Sequence, residues 1–314
     1  MTAAPCFALD GFFVFVFLCF FVFPCFNVNM QYVFFGTDNF SVIVLEELKK
    51  AGSVPALVVT ATDKKMGRGM RLTSPPVKLW AQKSAVQFLQ PQKLDDSVYY
   101  SLQSTVYKLF VVASYGKIIP KRFLDIPAHG ALNVHPSLLP LYRGPSPLES
   151  QILDGADERG EVGVTIMQMD EEMDHGPILA QQELGQVQSS KFKVQSCAEL
   201  QDALAHLGGQ LLAETIPKWL AGEITPREQE HEKATYTEKI TKADGLISLD
   251  DDAEKNYRKF RAFTPWPSVY FFDEKNRRVK ITDAALEEGK FVIKKVIPEG
   301  KKEVRYEDFL RCAE

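Results

Sequence analysis

Residues 31–60 read QYVFFGTDNFSVIVLEELKKAGSVPALVVT. The short run from Gln31 to Phe35 ends at Gly36, which predicts a buried strand followed by a tight turn. Thr37, Asp38 and Asn39 can cap a helix that starts there. Ser41 to Ala51 places Val44, Leu45 and Leu48 on one face, and Gly52 supplies the stop. Ala56 to Thr60 is a second apolar strand. Strand, helix, strand within so few residues is a βαβ unit, which demands a parallel sheet with right-handed crossovers. The turn at Gly36 lacks the GxGxxG pattern, so a nicotinamide dinucleotide pocket is rejected.

The same grammar continues outward. Leu79–Ser84 reads as helix, Val86–Leu89 as strand, Lys93–Ser101 as a helix start and Leu109–Ala113 as another buried strand. That strand runs into the polar turn Ser114-Tyr115-Gly116, the kind of strand end at which α/β ligands bind. Val162–Met169 and Ile178–Ala180 read as strands, and Ala198–Leu220 as a long amphipathic helix. Glu223–Lys233 is charged and polar, a candidate linker. Beyond it, Asp251–Phe263 reads as a helix with an acidic start. Four short strand-like runs follow, at Ser268–Phe272, Arg278–Ile281, Phe291–Val296 and Glu303–Tyr306, and predict a small β-rich domain, OB-like in character.

The chain has 314 residues, 45% of them hydrophobic and 25% charged, enough for two domains with cores of their own. A net charge of −4 excludes a wholesale nucleic-acid binder, so any basic contact surface must be local. Of the five cysteines, Cys6, Cys19 and Cys25 precede Met30, and only Cys197 and Cys312 remain in the body. This is neither a disulfide framework nor a paired zinc spacing, and it suits a reducing cytosol. Gly11–Phe26, GFFVFVFLCFFVFPCF, is shorter than the ~20 residues of a spanning helix. No Lys or Arg precedes it, as a signal peptide would require. Translation from Met30 is the expected reading, a signal or membrane anchor its alternative.

Thr62–Lys78, TDKKMGRGMRLTSPPVK, carries Lys64, Lys65, Arg68, Arg71 and Lys78 against the single acid Asp63. It reads as a flexible basic loop. One reading leaves it as solvated surface; the other makes it a contact for a phosphate backbone, which needs mobile cations rather than base-reading geometry.

The chemistry concentrates in Ala131–Pro177, ALNVHPSLLPLYRGPSPLESQILDGADERGEVGVTIMQMDEEMDHGP. Asn133 and His135 are two apart, so a strand points both to one face. An amide donor beside an imidazole suits a tetrahedral acyl intermediate: one stabilises the oxyanion, the other moves protons. Asp174 follows the strand Val162–Met169. If that strand lies nearby in the sheet, its carboxylate reaches the histidine, orients it and holds it protonated. No Ser or Cys stands in a nucleophile elbow, so direct transfer without an acyl-enzyme is expected. A metal set drawn from His129, His135, His175 and Asp174 is the rival reading, although its spacing matches no familiar template. Ser137-Leu138-Leu139-Pro140 is a rigid, partly apolar loop that can line a flat pocket or simply pack.

NVHPSLLPLYRG followed by GVTIMQMDEEMDHG resembles the 10-formyltetrahydrofolate-dependent formyltransferase family. MQYVFFGTDNF and VVASYGKIIP are similar to that family's first strand and turn and to its VVAxYGxILP strand. GRGMRLTSPPVK resembles the loop that its tRNA-acting members set against the acceptor arm, and TYTEKITKADGLISL with RAFTPWPSVY resembles the start of their carboxy-terminal domain. The resemblance implies a Rossmann-like parallel-sheet α/β formyltransferase domain over residues 30–222. A linker over 223–233 and a tRNA-contacting domain over 234–314 follow, with residues 1–29 a hydrophobic extension outside the mature fold.

It also implies Asn133, His135 and Asp174 as catalytic groups, Ser137, Leu138, Leu139 and Pro140 as the folate-contacting segment, and Lys64, Lys65, Arg68 and Arg71 as tRNA contacts. The implied substrates are 10-formyltetrahydrofolate and the α-amine of initiator methionyl-tRNA, with no metal. The implied setting is a cytoplasmic monomer with no stable membrane partner. Relatives sharing the Asn-His-Asp core formylate amino-sugar nucleotides or hydrolyse formyltetrahydrofolate; the basic loop and second domain favour tRNA. The chain departs from the family at His175, beside the catalytic carboxylate, at Pro136, and at Ala61, Lys64 and Lys65, where prolines are common. His175 is expected to add a second titratable group beside the catalytic carboxylate.

Overall fold

A computed structural model describes residues 31–66, 69–186 and 194–311. The hydrophobic extension, the Met30 start and Arg68 therefore lie outside the described residues. In the amino-terminal part, β1 (Tyr32–Gly36) leads to α1 (Asn39–Lys50) and β2 (Leu57–Val59). Then come β3 (Lys64–Met66), β4 (Arg71–Thr73), α2 (Pro76–Lys83), β5 (Gln87–Leu89), α3 (Asp96–Gln103), β6 (Leu109–Ala113) and α4 (Lys121–Leu124). The central stretch holds β7 (Ala131–His135), α5 (Pro147–Leu153), α6 (Ala156–Arg159), β8 (Gly163–Gln168), β9 (Ile178–Glu183) and α7 (Cys197–Leu220). The carboxy-terminal part holds α8 (Ala253–Ala262), β10 (Tyr270–Phe272), β11 (Arg278–Glu287), β12 (Lys290–Pro298), β13 (Val304–Arg305) and α9 (Tyr306–Arg311).

Seven strands form the main sheet in the order β5-β2-β1-β6-β7-β8-β9. The first five are mutually parallel, as the opening βαβ unit requires. β1 is an unbroken apolar run because both of its faces are buried. Tyr32 and Phe34 join α1 and α7 on one side; Val33 and Phe35 meet Leu102 of α3 and Phe123 of α4 on the other. Asp38 caps α1 by accepting from the Ser41 N–H at 3.2 Å.

Two features depart from expectation. The first is that β8 and β9 run antiparallel to their neighbours, with Asn133 opposite Met167 and His135 opposite Thr165. The second is that the basic loop is not unstructured: β3 and β4 pair as an antiparallel hairpin, and α2 begins at Pro76. Asp63 anchors the hairpin's base, accepting from Lys78, Ser74 and Gln90. Among the described cations of residues 62–78, only Lys78, on α2, is drawn into that anchor. Lys64, Lys65 and Arg71 stay exposed.

α7 lies close against the sheet and against α1 because Gly208 and Gly209 give it no side chain there. A Cβ on Gly208 would stand 2.6 Å from Val134 Cγ1, and one on Gly209 would stand 2.6 Å from Glu47 Cβ. Leu132 and Val134 of β7 point to this helix-covered core, which turns Asn133 and His135 to the opposite face.

The second sheet is an antiparallel meander in the order β10-β11-β12-β13. It is tied to the first part of the chain through α8. Arg261, 4% exposed, donates to Asp157, to Glu158 at 2.6 Å and to the Val194 carbonyl at 2.9 Å, and Arg258 pairs with Glu158. The segment 223–233 is not a free tether. Arg227 and Ile178 exchange both main-chain hydrogen bonds at 2.8 and 2.9 Å, and Gln229 is 5% exposed.

Candidate active site

β7 presents Asn133 and His135 on one face, and the chain after β8 folds back across that face. Met169 N donates to Ala131 O at 2.8 Å and Gln168 N to Pro177 O at 2.9 Å, closing the base of the loop 170–176. Gly176 lies where a Cβ would meet Gln168 O at 2.0 Å, so the return leg can pass only without a side chain. Asp174, at φ 51°, is thereby carried to β7.

Asp174 Oδ1 stands 3.5 Å from Asn133 Nδ2 and 3.6 Å from His135 Nδ1. Its Oδ2 accepts from the Gly144 main chain at 2.8 Å. On the other side of the ring, His135 Nε2–H donates to the Tyr142 carbonyl at 3.1 Å. Both ring nitrogens therefore face acceptors, and a doubly protonated imidazole has a partner for each N–H. His135 is buried at 4% exposure, whereas Asn133 is half-buried, so Asn133 is the donor that can turn toward an incoming oxygen. Burial and the nearby Asp154 push the Tyr142 phenol up to about 12, and burial alone does the same to Tyr115. Both phenols therefore stay protonated near neutrality.

Ser137 to Pro140 is pinned from beneath. Thr165 Oγ1 donates to the Ser137 carbonyl at 2.7 Å and accepts from Leu139 N at 3.1 Å, while Gln181 Nε2 donates to the Leu139 carbonyl at 2.7 Å. Leu139 packs with Met167 and Ile178, and Ser137 is fully buried, its hydroxyl donating to Leu141 O. The side chains of Leu138 and Pro140 are the half-exposed ones, available to a flat apolar ligand.

His175 does not join the catalytic cluster. Its Nδ1 meets Asp170 Oδ2 at 2.7 Å, and its ring stacks on His231 at 4.1 Å and 10°. The residue after Asp174 turns away because the positive φ of Asp174 reverses the chain between them. Among the described residues no three His, Cys, Asp or Glu side chains converge as a metal set would.

Local sequence patterns miss the groups that hold this geometry. Gln229 donates to Asp174 O at 3.0 Å and Gly176 O at 2.7 Å, and its Oε1 accepts from Arg143 Nε and Nη2. Thr235 N donates to Pro140 O, Arg143 N to Thr235 O and Thr237 N to Arg143 O. The strap 227–237 thus grips both loops that flank His135. Nothing in the charged segment marked Gln229.

Residues 30–216 match the formyl transferase family, and residues 239–298 match its C-terminal domain. A methionyl-tRNA formyltransferase of Chloroflexus aurantiacus is 42% identical over 77% of this chain and 76% of its own length. One from Thermus thermophilus is 39% identical over 86% of each. The solved methionyl-tRNA formyltransferase of Clostridium thermocellum superposes with a TM-score of 0.56 at 17% identity, covering 86% of this chain and 98% of that one.

Proposed function

This chain belongs to the formyl transferase family, and from that premise we propose that it transfers the formyl group of 10-formyltetrahydrofolate to the α-amine of initiator methionyl-tRNA. The observation that carries the site assignment is the convergence of Asn133, His135 and Asp174 within 3.6 Å, from a strand and a loop far apart in sequence.

In the proposed reaction the neutral α-amine attacks the formyl carbon, and the carbonyl becomes an oxyanion. Asn133 Nδ2–H donates to it, and a protonated His135 ring beneath stabilises it through its field. Asp174 offsets that charge and keeps the ring oriented, as does the Tyr142 carbonyl. Collapse breaks the bond between the formyl carbon and N10, and the proton lost by the amine ends on the folate nitrogen. The co-substrate supplies the activated formyl group. Leu138 and Pro140, on a loop fixed by Thr165 and Gln181, are the residues placed to hold it.

Lys64, Lys65 and Arg71, exposed on the β3–β4 hairpin, together with Arg68, would orient the tRNA by its phosphates. Residues 30–222 act as the catalytic domain and 234–314 as the tRNA-contacting domain in this reading. No helix among the described residues is long and apolar enough to cross a membrane. Cytoplasmic action as a monomer, without a membrane partner, is part of the same proposal.

The test is direct. Purified protein is incubated with 10-formyltetrahydrofolate and charged initiator tRNA, and separately with an amino-sugar nucleotide. Formylated methionyl-tRNA is expected from the first and no product from the second. Free formate with unformylated tRNA would mark a hydrolase instead.

A further inference from the structure

Arg143 heads the fully buried side chains of the described residues by volume, at 1% exposure. A buried guanidinium ordinarily has a carboxylate beside it, because an unpaired charge away from water is strongly destabilising. Here every hydrogen-bond partner is neutral. Gln229 Oε1 takes Nε at 3.1 Å and Nη2 at 2.7 Å, His231 Nδ1 takes Nη2 at 2.9 Å, and the Tyr236 hydroxyl oxygen takes Nη1 at 3.1 Å. Among the described residues no carboxylate oxygen lies within 4.0 Å of it.

Two of these partners reach solvent. His231 is exposed and Tyr236 is 68% exposed, its ring 5.7 Å from Arg143 Cζ. The hydrogen bond decides what each presents. His231 accepts at Nδ1, so its proton sits on Nε2, across the ring from Arg143. Tyr236 accepts on its oxygen, which leaves its own O–H to donate elsewhere. A donor whose other end accepts from a cation is strengthened by polarisation. The buried charge is thus relayed to the surface as two neutral, polarised donors between aromatic faces. His231 is held in place by its stack on His175, which Asp170 in turn fixes.

An oxyanion flanked by flat rings matches this surface, and a phosphodiester of a single strand, whose bases stack on aromatic side chains, has that chemistry. The site adjoins the reaction centre through the main chain. Arg143 lies between Tyr142, whose carbonyl takes the His135 N–H, and Gly144, whose N–H holds Asp174. We propose that His231 and Tyr236, polarised from below by Arg143, dock a phosphodiester of the acceptor's single-stranded 3′ end and so set the distance of the aminoacyl group from Asn133. This rests on methionyl-tRNA being the acceptor.

The experiment compares the wild type with His231→Ala, Tyr236→Phe and the double variant in steady-state formylation of methionyl-tRNA. The double variant is expected to raise the KM for methionyl-tRNA at least about tenfold, as loss of hydrogen bonds to a charged group does. The kcat and the KM for 10-formyltetrahydrofolate are expected to stay within about twofold. Because neither donor carries a charge, the slope of log(kcat/KM) against log salt should match the wild type. A tRNA KM unchanged in the double variant overturns the proposal. So does a lower kcat at unchanged KM, which would make the pair a support for the catalytic loops instead. Wild-type protein unable to formylate methionyl-tRNA would sink the functional reading and this site together, a failure visible before any substitution is made.

Discussion

Gly144 donates its main-chain N–H to Oδ2 of Asp174 at 2.8 Å, joining two loops that lie 30 residues apart. That bond occupies one carboxylate oxygen and leaves Oδ1 toward Asn133 and His135. Asp174→Asn keeps the shape. Its amide oxygen would still take the Gly144 N–H, but an NH2 would then face His135 Nδ1 in place of an anion. Turnover is expected to fall by at least about 10², with a thermal midpoint close to wild type. Single-turnover formylation measures it, and near-normal rates would remove Asp174 from the mechanism.

Asn133→Ala removes the half-exposed donor while leaving the His135–Asp174 pair in place. Loss of one oxyanion donor costs about 10²–10³ in kcat with little change in substrate KM. Unchanged kcat would reject the role.

Gln229 has all its hydrogen-bonding capacity engaged in a buried position. Gln229→Leu is close in volume but strands two carbonyls and part of a guanidinium. Destabilisation of about 3 kcal/mol is expected from the groups left unsatisfied, together with reduced kcat because the Asp174 main-chain carbonyl loses its anchor. Urea denaturation reads the first effect; a change below about 0.5 kcal/mol, the level of an ordinary surface substitution, would show the strap does not hold the loop.

Lys64, Lys65 and Arg71 replaced together by Ala should flatten the dependence of log(kcat/KM) for methionyl-tRNA on log salt. The slope should fall by about 2–3, at roughly 0.7–0.9 for each phosphate no longer neutralised. The KM for the folate should not move. Equal loss for both substrates would point to damage to the fold instead.

Glu47, on α1, faces α7 with its side chain 7% exposed. Burial raises its carboxyl, but hydrogen bonds from Lys50, His206 and Gln210 outweigh that and leave it below the ordinary 4.5. A carboxyl depressed in the folded state stabilises it fully above its unfolded value, and the contribution fades as pH falls through the lower folded value. Wild type should therefore exceed Glu47→Gln by about 1–3 kcal/mol at neutral pH, with the gap closing below 4.5. A gap independent of pH would assign the difference to packing.

Much of the fold was legible because its information is local. Tyr32–Gly36 and Leu109–Ala113 are apolar runs bounded by turn residues, and their burial on both faces follows from the helices between them. The hairpin β3–β4 was not legible: a short run of Lys and Met opposite Arg and Leu has no alternation strong enough to announce a strand. The direction of His175 was not legible for a related reason. Proximity in sequence to Asp174 says nothing about direction once the chain reverses at a positive φ.

By itself the sequence determined the βαβ framework and the shared face of Asn133 and His135, because side-chain direction repeats every two residues along a strand; it offered Asp174 only on the condition that the strand before it lay beside them. Only the tertiary structure decided that β8 runs antiparallel to β7, so that the loop after it returns over that face with Asp174. Only it decided that a charged segment, read as a linker, buries Gln229 against Arg143 and Asp174. Periodicity records which way a residue points from its own backbone. It carries no record of which distant main-chain carbonyl or buried cation that residue will meet, and in this site those distant partners fix the geometry.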